Sequence, residues 1–351
     1  MANYVSQYTG AQIDEYLGKA AISVPNTRTI NKLPLSDDII LTSDSVGAVN
    51  GATGQGSAVR ISNRNLLDNW YFASPVNQRG QTSYLTGGYT IDRWNKSADN
   101  LWLSLQSGFA RIEKTATTGY PMITQLLDSD ITDFLIGKEV TASVLTSEGL
   151  FFKTFTMPSG SFDLAGFDLG STNFVCNLYR GSSLPMFRIL SKTGAAVGSF
   201  VNLIAVKLEL GSVSTLAHQD ADGNWMLNDP PPNYAEELAK CQRYYEVLGN
   251  IGNYGRLTPM TVFDATNAYG VIPMAPKRAT PAITFISGSI SDLKIECGGV
   301  FSAVTGFFAS NPHPHGCIVK ATVASGLTKG DAGFLRGGET NPIVIALDAN
   351  L

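Results

Sequence analysis

Residues able to do metal chemistry cluster near the C-terminus, in Asn311 to Cys317, N-P-H-P-H-G-C. His313, His315 and Cys317 alternate, so an extended backbone would put all three on one face, where imidazole and thiolate could hold a transition metal. Pro312 and Pro314 instead favour an exposed polar loop. A second group, Asp128, Asp130 and Asp133, could supply the paired carboxylates of a glycoside hydrolase, although the same residue types suit a turn and a helix cap. The chain contains no G-x-S-x-G elbow, no G-x-x-x-x-G-K-S/T loop and no H-E-x-x-H, and its three histidines leave little material for a Ser-His-Asp arrangement. The residue inventory points away from an enzyme.

Aromatic side chains carry the remaining chemistry. Sugars present apolar C–H faces, so their sites pair a flat ring with amide and carboxyl hydrogen-bonders in a shallow groove. Trp102 alternates with Leu101, Leu103 and Leu105, which makes it a candidate solvent-facing platform. Tyr120 and Trp225, in polar turn-like surroundings, are further glycan-binding candidates. Trp70 and Trp94 sit inside dense apolar motifs and read as core.

The elements that must position these residues are mainly strands. Leu101, Leu103 and Leu105 alternate with Trp102 and Ser104, Val140, Ala142 and Val144 with Thr141 and Ser143, and Phe200, Asn202, Ile204, Val206 and Leu208 with Val201, Leu203, Ala205, Lys207 and Glu209, while Gly and Ser clusters interrupt at the intervals of a β-sandwich or jelly roll. That pattern fills residues 58–216. Residues 217–244 are a proline-terminated connector and a short helix capped by Asn233, with Cys241 on its apolar stripe. Residues 245–351 form a second β domain, with strand-like runs at Thr261 to Phe263, Ala282 to Ile286, Leu293 to Ile295, Ile318 to Val323 and Pro342 to Leu347. Residues 1–57 precede both. There Thr9 and Gln12 make a capping box, and Ile13, Tyr16, Leu17, Ala20 and Ala21 fall on one face of a helix. A helix of about a dozen residues is marginal alone in water, so this stripe needs a partner surface. Two brief strands follow within Thr27 to Ala48, and Asn50 to Ser57 is a glycine-rich joint. The expected class is mainly β: a short N-terminal helix and attachment segment, then two β-sandwich (jelly-roll-like) domains joined by a short helix.

Composition narrows the function classes. With 25 basic and 29 acidic side chains, a net charge of −4 and no Lys/Arg block, nucleic acid is an unsuitable partner. No apolar run approaches the roughly 18 residues of a membrane span, and the N-terminus lacks the pattern of a signal peptide. Cys176, Cys241, Cys297 and Cys317 form no C-x-x-C pair and read as small buried hydrophobes.

Three motifs carry a resemblance. Asn65, Asn69, Phe72 and Pro75-Val-Asn-Gln-Arg-Gly80 open the first β domain, Asp92-Arg93-Trp94 follows, and Leu208-Glu209-Leu210-Gly211 with Thr215 closes it. Together they resemble the carbohydrate-binding-module-like jelly roll of bacteriophage tail and receptor-binding proteins. Asn31, Lys32, Leu35, Ser36, Asp38, Ile39, Leu41 and Val46-Gly-Ala48 resemble a segment at the attachment ends of phage tail fibres, with Leu33-Pro34 and Ser45 departing from it. The resemblance implies a non-enzymatic virion fibre protein, made in the host cytoplasm, that docks on other virion proteins through its N-terminus and binds bacterial surface carbohydrate. It also implies a homotrimer, in which Ile13, Tyr16 and Leu17 would serve oligomerisation or attachment. His313-Pro-His315 resembles the iron-binding H-x-H pair of some trimeric phage fibres; no other cofactor is implied. Two further readings stay open: a capsid-decorating head fibre or baseplate component without sugar binding, and a polysaccharide depolymerase.

Overall fold

The computed structural model describes residues 8–21, 29–30, 33–34, 62–97, 100–119, 121–251, 255–337 and 343–350. They belong to two compact units, Met1–Ser62 and Asn63–Leu351. In the first, α1 (Gly10–Ala21) begins at the expected capping box: Gln12 N donates to Thr9 Oγ1 at 3.3 Å and Thr9 N to Gln12 Oε1 at 2.9 Å. Strands β1 (Thr29–Ile30) and β2 (Leu33–Pro34) pair antiparallel. The rest of the resembling attachment segment, Asn31, Lys32 and Leu35 to Ala48, lies outside the described residues, as do the side chains of Ala20 and Ala21.

The second unit is built from strands, as the mainly β class requires. Its first part runs β3 (Ser83–Tyr84), β4 (Gly88–Tyr89), β5 (Asn95–Lys96), β6 (Leu101–Gln106), β7 (Phe109–Lys114) and β8 (Met122–Leu126). After α2 (Ser129–Leu135) come β9 (Glu139–Thr146), β10 (Gly149–Thr156), β11 (Phe162–Asp163), β12 (Phe167–Asp168), β13 (Phe174–Arg180), β14 (Met186–Ser191) and β15 (Phe200–Leu210). These make a six-stranded sheet, β10-β9-β15-β7-β6-β3, and a seven-stranded one, β11-β13-β14-β8-β5-β4 with β12 on β13. The inward residues of both, among them Leu101, Leu103, Ile123, Val140, Cys176, Phe187, Ile189 and Val201, form one core, as the alternation predicts.

The opening motif fastens this core. Asn69 takes a positive φ of 50°, which an asparagine tolerates better than most residues. From there its amide reaches Val76 O at 2.9 Å and Asp92 O at 2.7 Å, its side-chain oxygen accepts from Val76 N at 2.7 Å, and its carbonyl accepts from Trp94 Nε1 at 2.9 Å. Phe72 and Trp94, both fully buried, pack ring to ring at 4.9 Å. Asn65 ties the opening motif to the closing one, accepting from Leu208 N at 3.1 Å and donating to Val206 O at 2.9 Å. Glu209, within the closing motif, is buried with Thr215 donating to it from both backbone and hydroxyl.

The hairpin of β16 (Ala217–Gln219) and β17 (Trp225–Leu227) follows, then α3 (Tyr234–Gln242), capped by Asn233 as expected. Beyond it lie β18 (Tyr245–Ile251), β19 (Arg256–Val262), β20 (Asn267–Ile272), β21 (Ala282–Ser287), β22 (Leu293–Cys297), β23 (Val300–His313), β24 (Gly316–Val323), β25 (Ala332–Gly337) and β26 (Ile343–Asp348). Here the chain satisfies its edges by closing six strands, β19-β20-β24-β23-β22-β25, into a barrel, with β18-β26-β21 as a separate three-stranded sheet. Residues inside the barrel, including Met260, Ile295, Cys317, Val319 and Leu335, form the second core with Ile343, Ile345 and Leu347 of β26. All four cysteines are buried thiols.

The motif region also holds the two β parts together. Gln78 donates to Tyr245 O at 2.6 Å and accepts from Val247 N at 3.3 Å, while the guanidinium carbons of Arg79 and Arg93 lie 3.7 and 3.4 Å from the ring centres of Tyr245 and Tyr244.

Candidate functional site

The sheet faces are the places where a strand's alternate side chains converge without closing a core. On the outside of the seven-stranded sheet, one register row crosses five strands: Tyr89 opposite Asn95, then Thr124, Arg188 and Asn177. At ordinary strand spacing such a row is about 19 Å long. The adjacent row on the same face is Leu126, Met186, Tyr179 and Asp163. Tyr89, Asn95, Thr124 and Arg188 of the first row and Leu126, Met186 and Tyr179 of the second line an open groove of about 450 Å³ together with Ser97 and Met122.

Its polar floor is held rigidly. Arg188, almost fully buried, donates from Nε to Asn177 Oδ1 at 2.9 Å and pairs through Nη2 with Asp163 Oδ1 at 2.6 Å, and its guanidinium lies 4.1 Å from the Tyr179 ring. The Asn177 amide donates in turn to Asp163 Oδ1 at 2.9 Å. At the other end, the Arg79 guanidinium sits 5.5 Å from the Tyr89 ring and 3.5 Å from Asp92 Oδ1. Burial pushes the Asp92 carboxyl up to about 6, against the hydrogen bond from Gln78 N and the charge of Arg79. The groove thus offers two tyrosine rings, two thioethers and a preorganised row of amide, hydroxyl and guanidinium groups. Groups of this kind suit a ligand with apolar faces and many hydroxyls.

The residues singled out from sequence sit elsewhere. Trp102 lies half-buried on the outer face of the six-stranded sheet, with Leu101 and Leu103 inward; its Nε1 donates to Ser83 Oγ at 2.8 Å. Glu113 stands opposite it and Phe200 opposite Glu113, with Arg111 stacked on Phe200 at 4.1 Å. Trp225 is half-buried and packs against the first core, its indole nitrogen only 3.3 Å from where a Cβ on Gly149 would stand. It serves to clamp the hairpin. Tyr120 lies outside the described residues. Trp102 on β6 and Trp225 against β10 lie far apart on the six-stranded sheet, and neither is in the groove of Tyr89, Tyr179 and Arg188. Their signal was the alternation in F-V-C-N-L-Y-R and M-F-R-I-L-S, which puts Asn177, Tyr179, Met186 and Arg188 on one face.

The His-x-His-x-Cys geometry needs correcting. A tight hairpin replaces the continuous extended strand: His313 pairs with Gly316, and Pro314-His315 form the turn. His313 and His315 are exposed, His315 N donating to His313 Nδ1 at 3.2 Å, whereas Cys317 points into the barrel core. Among the described residues no three His, Cys, Asp or Glu side chains gather as a metal would require. Asp128 accepts from Tyr244 Oη at 2.5 Å and Arg243 Nη1 at 3.2 Å, which ties α2 to the chain beyond α3, while Asp130 and Asp133 are exposed. On α1, Ile13, Tyr16 and Leu17 are all exposed, as an unpartnered stripe would be.

No family model matches the chain, and no curated protein and no solved structure matches it.

Proposed function

We propose that this chain is a bacteriophage virion fibre protein that attaches to the particle through its N-terminal unit and binds host surface glycans through the groove on the seven-stranded sheet. The observation that carries the binding half is the five-strand row with its flanking tyrosines, because a ring next to fixed hydrogen-bonding groups is what a sugar needs. The virion half rests on the opening, D-R-W and closing motifs and on the attachment-like segment after α1. Trp102 is a second, flatter contact on the opposite sheet. Under this reading the chain catalyses nothing, works as a trimer, and needs no cofactor; an ion on the exposed His313/His315 turn would be an addition to it.

Three experiments test the reading. In a glycan array, Tyr179→Ala should lose the signal of the parent chain by about tenfold or more, the scale of a lost ring contact. An unchanged array and unchanged host adsorption would instead favour a capsid-decorating or baseplate role without sugar binding. Imaging of particles with a label on the chain should place it on the tail. Release of reducing ends from host capsule by the purified chain would overturn the non-enzymatic assignment.

A further inference from the structure

The outer wall of the barrel formed by β20, β24 and β23 carries rings and one lysine with no carboxylate among them: N-A-Y-G-V-I, G-C-I-V-K-A-T-V and V-F-S-A-V-T-G-F-F-A-S-N-P-H contain neither Asp nor Glu. Tyr269, Lys320 and Phe308 stand directly opposite one another across the three strands, so they share the outer face. Phe263 extends the line, its ring meeting Tyr269 edge to face at 5.7 Å. Phe263 is 60% exposed and Phe308 48%, unusual for phenylalanine. Each has an ammonium near its face, Lys329 Nζ at 6.0 Å from Phe263 and Lys320 Nζ at 5.9 Å from Phe308. Between Phe263, Tyr269 and Lys329 the surface dips into a groove of about 350 Å³. Two acids flank these strands: Asp264 is turned into its own loop, accepting from Thr266 N at 2.8 Å and Asn267 Nδ2 at 2.8 Å, and Asp331 Oδ2 accepts from Cys297 Sγ at 3.7 Å.

We propose that this wall is a second polysaccharide-binding face, selective for a chain of carboxylate-bearing sugars that lies along Phe263, Tyr269, Lys320 and Phe308. The rings take the C–H faces of successive sugars, and Lys329 and Lys320 take the carboxylates. Charge complementarity decides the class: an acidic polymer gains two ammonium contacts here and meets no acid on these strands, while a neutral one gains only the rings. The face is distinct from the sheet groove and binds whether or not that groove takes sugar.

The test is calorimetric titration of the full chain with hexagalacturonate and with hexameric sialic acid, using maltohexaose as the neutral control. At least one acidic hexamer should bind, more tightly than maltohexaose, and weaken as salt rises from 0.15 to 0.5 M. Phe308→Ala and Lys320→Gln should each reduce that affinity about tenfold with an unchanged melting midpoint, and Tyr179→Ala should leave it intact. Failure of both acidic hexamers to bind, equal binding of maltohexaose, or binding lost in Tyr179→Ala but kept in Phe308→Ala would each overturn the proposal. Capture of phosphatidylglycerol vesicles, abolished by Phe308→Ala with no hexamer bound, would reassign the wall to a membrane surface.

Discussion

Several buried charged side chains set the stability of this protein. The Lys96 side chain is wholly buried, its ammonium donating to Leu85 O and Leu101 O at 2.7 Å each. Lys96→Met keeps the length but leaves carbonyls without their donor, so it should destabilise the fold by about 2–4 kcal/mol in denaturant titration. Asp92 gives a pH signature. Its carboxyl is raised from 3.8 to about 6, so the folded state binds this proton more tightly than the unfolded one does. Its contribution to stability is therefore greatest below about pH 4 and is lost as pH rises towards 6. Burial raises the Asp68 and Glu209 carboxyls in the same direction. Asp92→Asn should flatten the fall of the melting midpoint across this window; an unchanged slope would show that Asp92 does not titrate there.

Elements join the two β parts, and here local signals are strong. Asn233 Oδ1 accepts from Ala235 N at 2.9 Å and Glu236 N at 3.4 Å at the start of α3, whose Glu237 carboxylate reaches back to Asn69 N. Asn233→Ala should cost about 1 kcal/mol of unfolding free energy, the usual value of such a cap. Glu237→Ala should cost more, since it strands a buried backbone N–H in the opening motif. A denaturation midpoint unmoved by Glu237→Ala would remove α3 from the set of elements that brace the jelly-roll-like part. Closure of the barrel is an element-scale choice too. Strands β20, β23 and β25 escaped sequence reading because glycines, polar residues or prolines interrupt their alternation, as in N-A-Y-G-V-I and A-G-F-L-R-G. Pairing on both sides outweighs those weak propensities.

For the whole molecule, the helix of the first unit is the decisive feature. Tyr16 is 59% and Leu17 63% exposed, on a twelve-residue helix too short to persist without a partner. In the proposed trimer those side chains pack against two copies of themselves. Light scattering should then give three times the 37.5 kDa chain mass, and Leu17→Glu should return the monomer. A monomeric parent chain would remove both the trimer and this role for α1.

Residue identity and period by themselves determined the capping box at Thr9, the cap at Asn233, the alternation of Leu101 to Leu105 and the mainly β class, since each depends on neighbours within one turn or one strand. The opening motif was legible as a folding signature but not as a joint, because Gln78, Arg79 and Arg93 find their partners about 150 or more residues away in Tyr244, Tyr245 and Val247. The sheet groove, the acid-free barrel wall and the separation of Cys317 from His313 were decided only by tertiary structure. Register across strands distant in sequence chooses which outward residues become neighbours, and a two-residue turn was enough to send a histidine and a cysteine to opposite sides of the same wall.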